Sequence, residues 1–142
     1  MAAYNTVSIK PGTTAAIRVQ PAAVLDRIDS IIFRFVDRLS GYEMLTARYP
    51  DDTAVNDDGD ILIGLTQQDT MTLCADASIE AQYNMKSGQV SKGVIGVIKS
   101  EKTLRTTIID TAGSITRKQL AQNYREGGYP VMQISTKTGG AV

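Results

Sequence analysis

Ala77-Ser78-Ile79-Glu80-Ala81-Gln82-Tyr83-Asn84-Met85 is the stretch on which the fold turns. Apolar residues hold every second position and polar ones stand between them, the period of a strand with one face in a core. Lys86-Ser87-Gly88 then supplies turn chemistry, and a second strand returns from about Val90 to Lys99. Gly93 and Gly96 disturb the alternation of that second strand, which predicts a bulge or a close backbone approach.

Working outward, Thr66-Gln67-Gln68-Asp69 has the form of a capping box and predicts one helical turn through about Leu73. It follows Ile61-Leu62-Ile63-Gly64-Leu65, a short buried strand. Before that strand, Asp51 to Asp60 reads as an acidic loop closing at Asp58-Gly59, a hairpin-type turn signal. Glu43 to Tyr49 reads as a strand stopped by Pro50. Asp29 to Val36 is another, with Ile31, Phe33 and Phe35 on one face and Ser30, Ile32, Arg34 and Val36 on the other. Leu39-Ser40-Gly41 separates the two. Tyr4 to Ile9 and Thr13 to Val19 read as a strand and its return about Pro11-Gly12, with Ala15, Ile17 and Val19 on one face. Pro21 to Leu25 reads as a loop or a single helical turn, and Thr103 to Ile109 as a further strand.

Strands at roughly ten-residue intervals, joined by turn residues, predict a mainly β chain: an antiparallel, immunoglobulin-like β-sandwich over residues 1–109. Residues 110–142 depart from that pattern and read as a C-terminal extension. Ile115, Leu120, Ala121 and Tyr124 are spaced for a short helix, and Gly127-Gly128 would stop it. Tyr129 to Ser135 fits one more strand, and Lys137 to Val142 is a tail of mostly small residues. Two readings stand for the extension: a terminal hairpin or frayed end, or an arm that reaches a neighbouring subunit.

A chain of 142 residues suits one domain. Its hydrophobic share of 42% and charged share of 21% are those of a globular protein, which argues against disorder. Apolar runs such as Ile31-Ile32-Phe33 are far too short to span a bilayer, and Met1 to Asn5 does not begin a secretory signal, so no membrane partner is expected. Cys74 is the single cysteine, which leaves no internal disulfide and suggests synthesis in a cytoplasm. Residues 1–71 carry 6 basic and 10 acidic side chains, and residues 72–142 carry 9 and 5, balances of −4 and +4. Opposed charge of this kind suits self-association, and also suits ordinary solvated faces. The basic residues form no dense patch and no reader motif, so nucleic acid is not an expected partner.

The chain has no histidine, which removes Ser-His-Asp and Cys-His catalysis and histidine metal sites together. No catalytic residue and no cofactor are expected. Cys74, following Met71-Thr72-Leu73, reads as a small buried hydrophobe. Asp57, Asp58 and Asp60 are the candidate metal ligands, because clustered carboxylates suit calcium. An EF-hand ending its acidic motif at Gly59 would need an acid at Ala54 and a glutamate at Leu65, so any such site would be an irregular one between loops. The other reading is an acidic solvent loop. Asp110-Thr111-Ala112-Gly113 matches a GTPase switch motif, but the phosphate-cradling loop is missing and the match is read as chance. Tyr42, Tyr49 and Tyr129 fall near predicted loops, as contact residues or as half-buried sheet tyrosines.

One family likeness is carried by specific stretches. Lys10-Pro11-Gly12-Thr13-Thr14 precedes an apolar strand, and Ile28-Asp29-Ser30-Ile31-Ile32-Phe33-Arg34-Phe35 follows. Asp60-Ile61-Leu62-Ile63-Gly64-Leu65-Thr66-Gln67-Gln68-Asp69-Thr70 is the main landmark, completed by Ser78-Ile79-Glu80-Ala81-Gln82-Tyr83, Gly88 and the strand to Lys99. In this order, from Ser8 to Ile109, the chain resembles small proteins from the tail or virion modules of phages and prophages of Gram-positive bacteria. These include short relatives of the N-terminal domain of baseplate upper proteins. The resemblance implies a β-sandwich virion protein, made in the host cytoplasm and attached to other virion structural proteins in the baseplate, tail or head; assembly in several copies is expected through exposed strand edges, the opposed charge and the C-terminal segment. It carries over no catalytic or binding residue. A module recognising host-surface glycan or protein through its loops is the alternative.

Overall fold

Alternation in the sequence becomes strand. In chain order the elements are β1 (Asn5–Ile9), β2 (Ala15–Gln20), β3 (Ile28–Asp37), β4 (Glu43–Tyr49), β5 (Thr53–Val55), β6 (Ile61–Leu65), α1 (Gln67–Thr72), β7 (Ala77–Met85), β8 (Val90–Ser100), α2 (Arg117–Gly127) and β9 (Met132–Ser135). The structure, a computed structural model, describes residues 5–73, 76–100, 115–127 and 132–135. The expected strand from Thr103 to Ile109, Cys74, Asp110 to Gly113, Tyr129 and the tail from Lys137 lie outside the described residues.

The chain is mainly β, in two sheets. One has five strands in the order β1-β8-β7-β3-β4, and the other four in the order β5-β6-β2-β9. Ile31, Phe33, Phe35, Ile79 and Ile98 of the first sheet share one apolar core with Ile17, Val19, Ile61, Ile63 and Leu65 of the second. In β3 the inward residues are buried while Ile32, Arg34 and Val36 between them are only half-buried, as the period of two requires.

The antiparallel expectation holds at β2–β6, β3–β4, β3–β7, β5–β6 and β7–β8 and is corrected at two pairings. β1 runs parallel to β8, with Val7 beside Ile98, and β9 runs parallel to β2, with Val19 beside Ile134. β1 and β2 therefore do not form the hairpin that their turn suggested. Pro11 and Gly12 carry the chain from one sheet to the other, and Gly12 takes a φ of 84° to do so. β5 is a second correction: Thr53 to Val55 pairs with β6 inside the expected loop. Three residues are too few to show a period, and among the described residues only β6 beside them supplies ladder partners. The disturbed alternation of β8 is a register shift, in which Gly96 faces Ile79, Val94 faces Glu80 and Ile95 is the extra residue.

All five residues of β6 are buried, because this strand is covered on both faces. Ile61, Ile63 and Leu65 enter the shared core, while Leu62 meets Ala54 and Ala121 on the other side. There α2 lies so close that a Cβ on Gly64 would stand 2.7 Å from the Arg117 carbonyl oxygen and 2.9 Å from the Ala121 nitrogen. Residues 110–142, expected as an extension, thus contribute a helix packed on β6 and a strand paired with β2.

Candidate functional site

Two connections meet at one end of the molecule. Val19 near the end of β2 lies opposite Ile61 at the start of β6, which makes the β2–β3 loop and the β5–β6 turn neighbours. Asn56 organises that turn: its side-chain oxygen accepts from the N–H groups of Asp58 at 3.0 Å and Asp60 at 2.9 Å. Gly59 completes it with a φ of 81°.

Arg18 reaches this turn from β2. Its Nε donates to Asp60 Oδ2 at 2.6 Å and its Nη2 to Asp58 Oδ2 at 3.0 Å. Asp60 is buried and Asp58 exposed, so solvent screens the second contact much more than the first. The three candidate metal ligands are thereby separated. Asp58 and Asp60 share a guanidinium, Asp57 is exposed on the turn, and a cation at the pair would have to displace Arg18. Among the described residues no three His, Cys, Asp or Glu side chains are grouped to hold a metal ion.

Between the two connections lies a cleft of about 450 Å³, bounded by Gln20 to Asp26 and by Asp58 to Asp60. Its lining joins apolar Pro21, Ala23, Val24 and Leu25 to the carboxylates of Asp26 and Asp58. The Tyr83 hydroxyl, from β7, accepts from the Ala22 N–H at 3.2 Å and fixes the loop over the core. Lys86 N–H donates to the Arg27 carbonyl at 3.0 Å, bringing the β7–β8 turn to the same end.

The opposite end is built around α1. The predicted capping box forms: Thr66 Oγ1 accepts from Asp69 N–H at 3.1 Å, and Thr66 N–H donates to the Asp69 carboxylate at 3.0 Å. Buried Thr70 accepts from Gly12 N–H at 2.9 Å and donates to the Thr13 carbonyl at 2.8 Å, stapling the helix to the turn between the sheets. Arg117 of α2 donates through Nη2 to both Asp69 oxygens, at 3.0 and 2.9 Å.

Next to the start of β7, where Arg38 N–H donates to the Asp76 carbonyl at 3.2 Å, the β3–β4 turn is held by Asp37. Its carboxylate accepts from Ser40 Oγ at 2.7 Å and from Leu39 N–H at 3.3 Å, while Asp37 N–H donates to the Tyr42 carbonyl at 2.8 Å. The Ser40 hydroxyl, and after it the Leu39 N–H, hold the Asp37 carboxyl below the usual aspartate range. This ordered turn displays Leu39 at 96% exposure and Tyr42 at 71%.

Tyr42 is therefore presented to solvent, whereas Tyr49 is half-buried against the core, as a sheet tyrosine would be. The part played by Arg18 and the pairing of Asp69 with Arg117 emerge only from the fold. No local sequence signal announces either, because 42 and 48 residues separate the partners. No helix among the described residues is long and apolar enough to cross a membrane. In comparison with known proteins, the chain matches no family model and no curated protein, and function has to be read from its own residues.

Proposed function

We propose that the chain is an immunoglobulin-like β-sandwich serving as a non-enzymatic structural protein of a phage virion, in the baseplate or tail or as a head decoration. It works through contacts with other virion proteins and with copies of itself. The strand order supports the sandwich reading. β4-β3-β7-β8 runs in the order of strands C′, C, F and G of an immunoglobulin-like sheet, and β5-β6-β2 in the order of D, E and B. The resemblance from Ser8 to Ile109 supports the virion reading.

The observation that carries the proposal is a division of labour across the surface. Arg18, Arg34 and Arg117 are engaged with carboxylates of the same chain, whereas large apolar side chains are exposed at both ends: Leu39 and Tyr42 at one, Val24 and Val90 at the other. Exposed apolar anchors on a rigid frame suit association with protein. Immunogold labelling of purified particles with an antibody to this chain tests the reading. Label at the head or the tail tip is the expected result, and particles without label would overturn it.

A host-surface binding module is the second reading, favoured by the cleft bounded by Gln20 to Asp26 and Asp58 to Asp60. Particles carrying Asp58→Ala and Val24→Asp would then lose adsorption to host cells while assembling normally. Unchanged adsorption would remove this reading.

A further inference from the structure

We infer that copies of this chain associate head to tail, the β3–β4 turn of one copy seating in the end cleft of the next. The inference rests on the reading of the chain as a multi-copy structural protein and specifies the contact that such a protein would use.

The two surfaces lie at opposite ends. The cleft is formed where β2 gives way to β3, and the turn follows the other end of β3. Ten residues of strand separate them, about 33 Å at roughly 3.3 Å per residue. A contact between unlike patches at opposite ends is heterologous: repeated, it gives a ring if the rotation closes and a filament if it does not.

The surfaces match in chemistry. The turn offers exposed Leu39 and Tyr42 beside Arg38, which makes no ion pair among the described residues. The cleft offers exposed Val24 and half-buried Ala23 and Leu25, with Pro21 buried among its lining, beside Asp26, which is likewise without an ion pair there, and beside Asp58. Val24 stands 63% exposed at its rim. Burying Leu39 against these residues removes apolar surface from water on both partners, and Arg38 meets a carboxylate in the same step. The volume of about 450 Å³ lies within the range of roughly 300–1,000 Å³ typical of small-ligand pockets, enough for a few side chains.

Both partners are also ordered before they meet. Asp37 and Ser40 fix the turn, and Tyr83 fixes the loop that walls the cleft. Little conformational entropy then remains to be lost on association.

Sedimentation velocity on the full chain over a concentration series tests the contact. The weight-average sedimentation coefficient of the unmodified chain should rise with concentration, and the rise should weaken in high salt. Leu39→Asp spoils the turn and Val24→Asp spoils the cleft, both at exposed positions where circular dichroism should show an unchanged fold. Each variant alone should remain monomeric. An equimolar mixture should form a species of twice the monomer mass and stop there, because only one intact turn and one intact cleft remain to pair. Arg38→Glu should weaken association at least tenfold, and adding Asp26→Arg to it should restore association.

A monomeric unmodified chain at every concentration, or a mixture of the two variants that does not dimerise, would overturn the head-to-tail contact. Labelled particles together with a monomeric chain would defeat this contact and leave the virion reading standing. Association in solution with unlabelled particles would do the reverse.

Discussion

The first sheet presents β3 with one face in the core and the other half-open, whereas the second presents β6 with both faces closed. The same backbone geometry thus produces two sequence patterns. β3 alternates, with Arg34 on its open face tied to Glu43 at 3.2 Å and to Gln82 at 3.1 Å. β6 runs Ile61-Leu62-Ile63-Gly64-Leu65 without a polar residue, because α2 covers what would otherwise be its outer face. The difference teaches that the second sheet owes its outer layer to a segment more than 50 residues downstream in the chain.

Adjacent alanine substitutions in the two strands should expose this contrast most strongly. Phe33→Ala, inside the shared core, is expected to cost about 3–5 kcal/mol, while Ile32→Ala on the open face should cost under about 1 kcal/mol. In β6 the neighbours should behave alike, with Ile63→Ala and Leu62→Ala each costing about 2–5 kcal/mol. Urea unfolding followed by circular dichroism reads all four. A small effect at Leu62 would mean that α2 does not cover the sheet in solution.

Glycines sharpen the comparison at lower amplitude. Gly64→Ala would drive a methyl group into the backbone of α2 at Arg117 and Ala121, which the helix can relieve only by moving away. The expected loss is about 1–3 kcal/mol. At Gly93, in β8 of the first sheet, nothing lies within 4 Å of the added Cβ. Gly93→Ala should therefore be neutral, or stabilising by up to roughly 0.5–1 kcal/mol through a less flexible unfolded chain. Equal effects at the two positions would remove the distinction between a covered and an open sheet.

These contrasts also mark what could be read from sequence. β4 and β7 emerge with their observed bounds, because β4 runs between turn residues at Gly41 and Pro50, and β7 alternates throughout up to the turn at Gly88. The helical turn after Thr66 was equally legible, since a capping box is a local reciprocal bond. β5 was not, because three residues acquire strand geometry only from β6 beside them. The turn at Pro11-Gly12 was visible, but its role in crossing between sheets was not, since the same residues would serve a hairpin. At the candidate site the acidic turn could be seen in Asp57, Asp58 and Asp60. The cation that answers it, Arg18, could not, because β2 brings it there only through long-range pairing with β6.

The smallest predicted effect lies where the first sheet ends in solvent, at Asp37. Its carboxyl is held below the ordinary aspartate range first by the Ser40 hydroxyl and then by the Leu39 N–H. A folded-state value below the unfolded one means that the group contributes stability above the unfolded aspartate value. That contribution is lost as pH falls through the folded value. Carbon-detected NMR titration should place the Asp37 midpoint below the ordinary aspartate value, and Ser40→Ala should raise it toward that value. Solvent reaches this turn freely, so the urea midpoint near neutral pH should hardly change. The titration thus reports order in the turn without disturbing the core beneath it. If Asp37 titrates at the ordinary aspartate value in the unmodified chain, the turn is not ordered in solution, and Leu39 and Tyr42 lose the rigid support that distinguishes them from an ordinary loop.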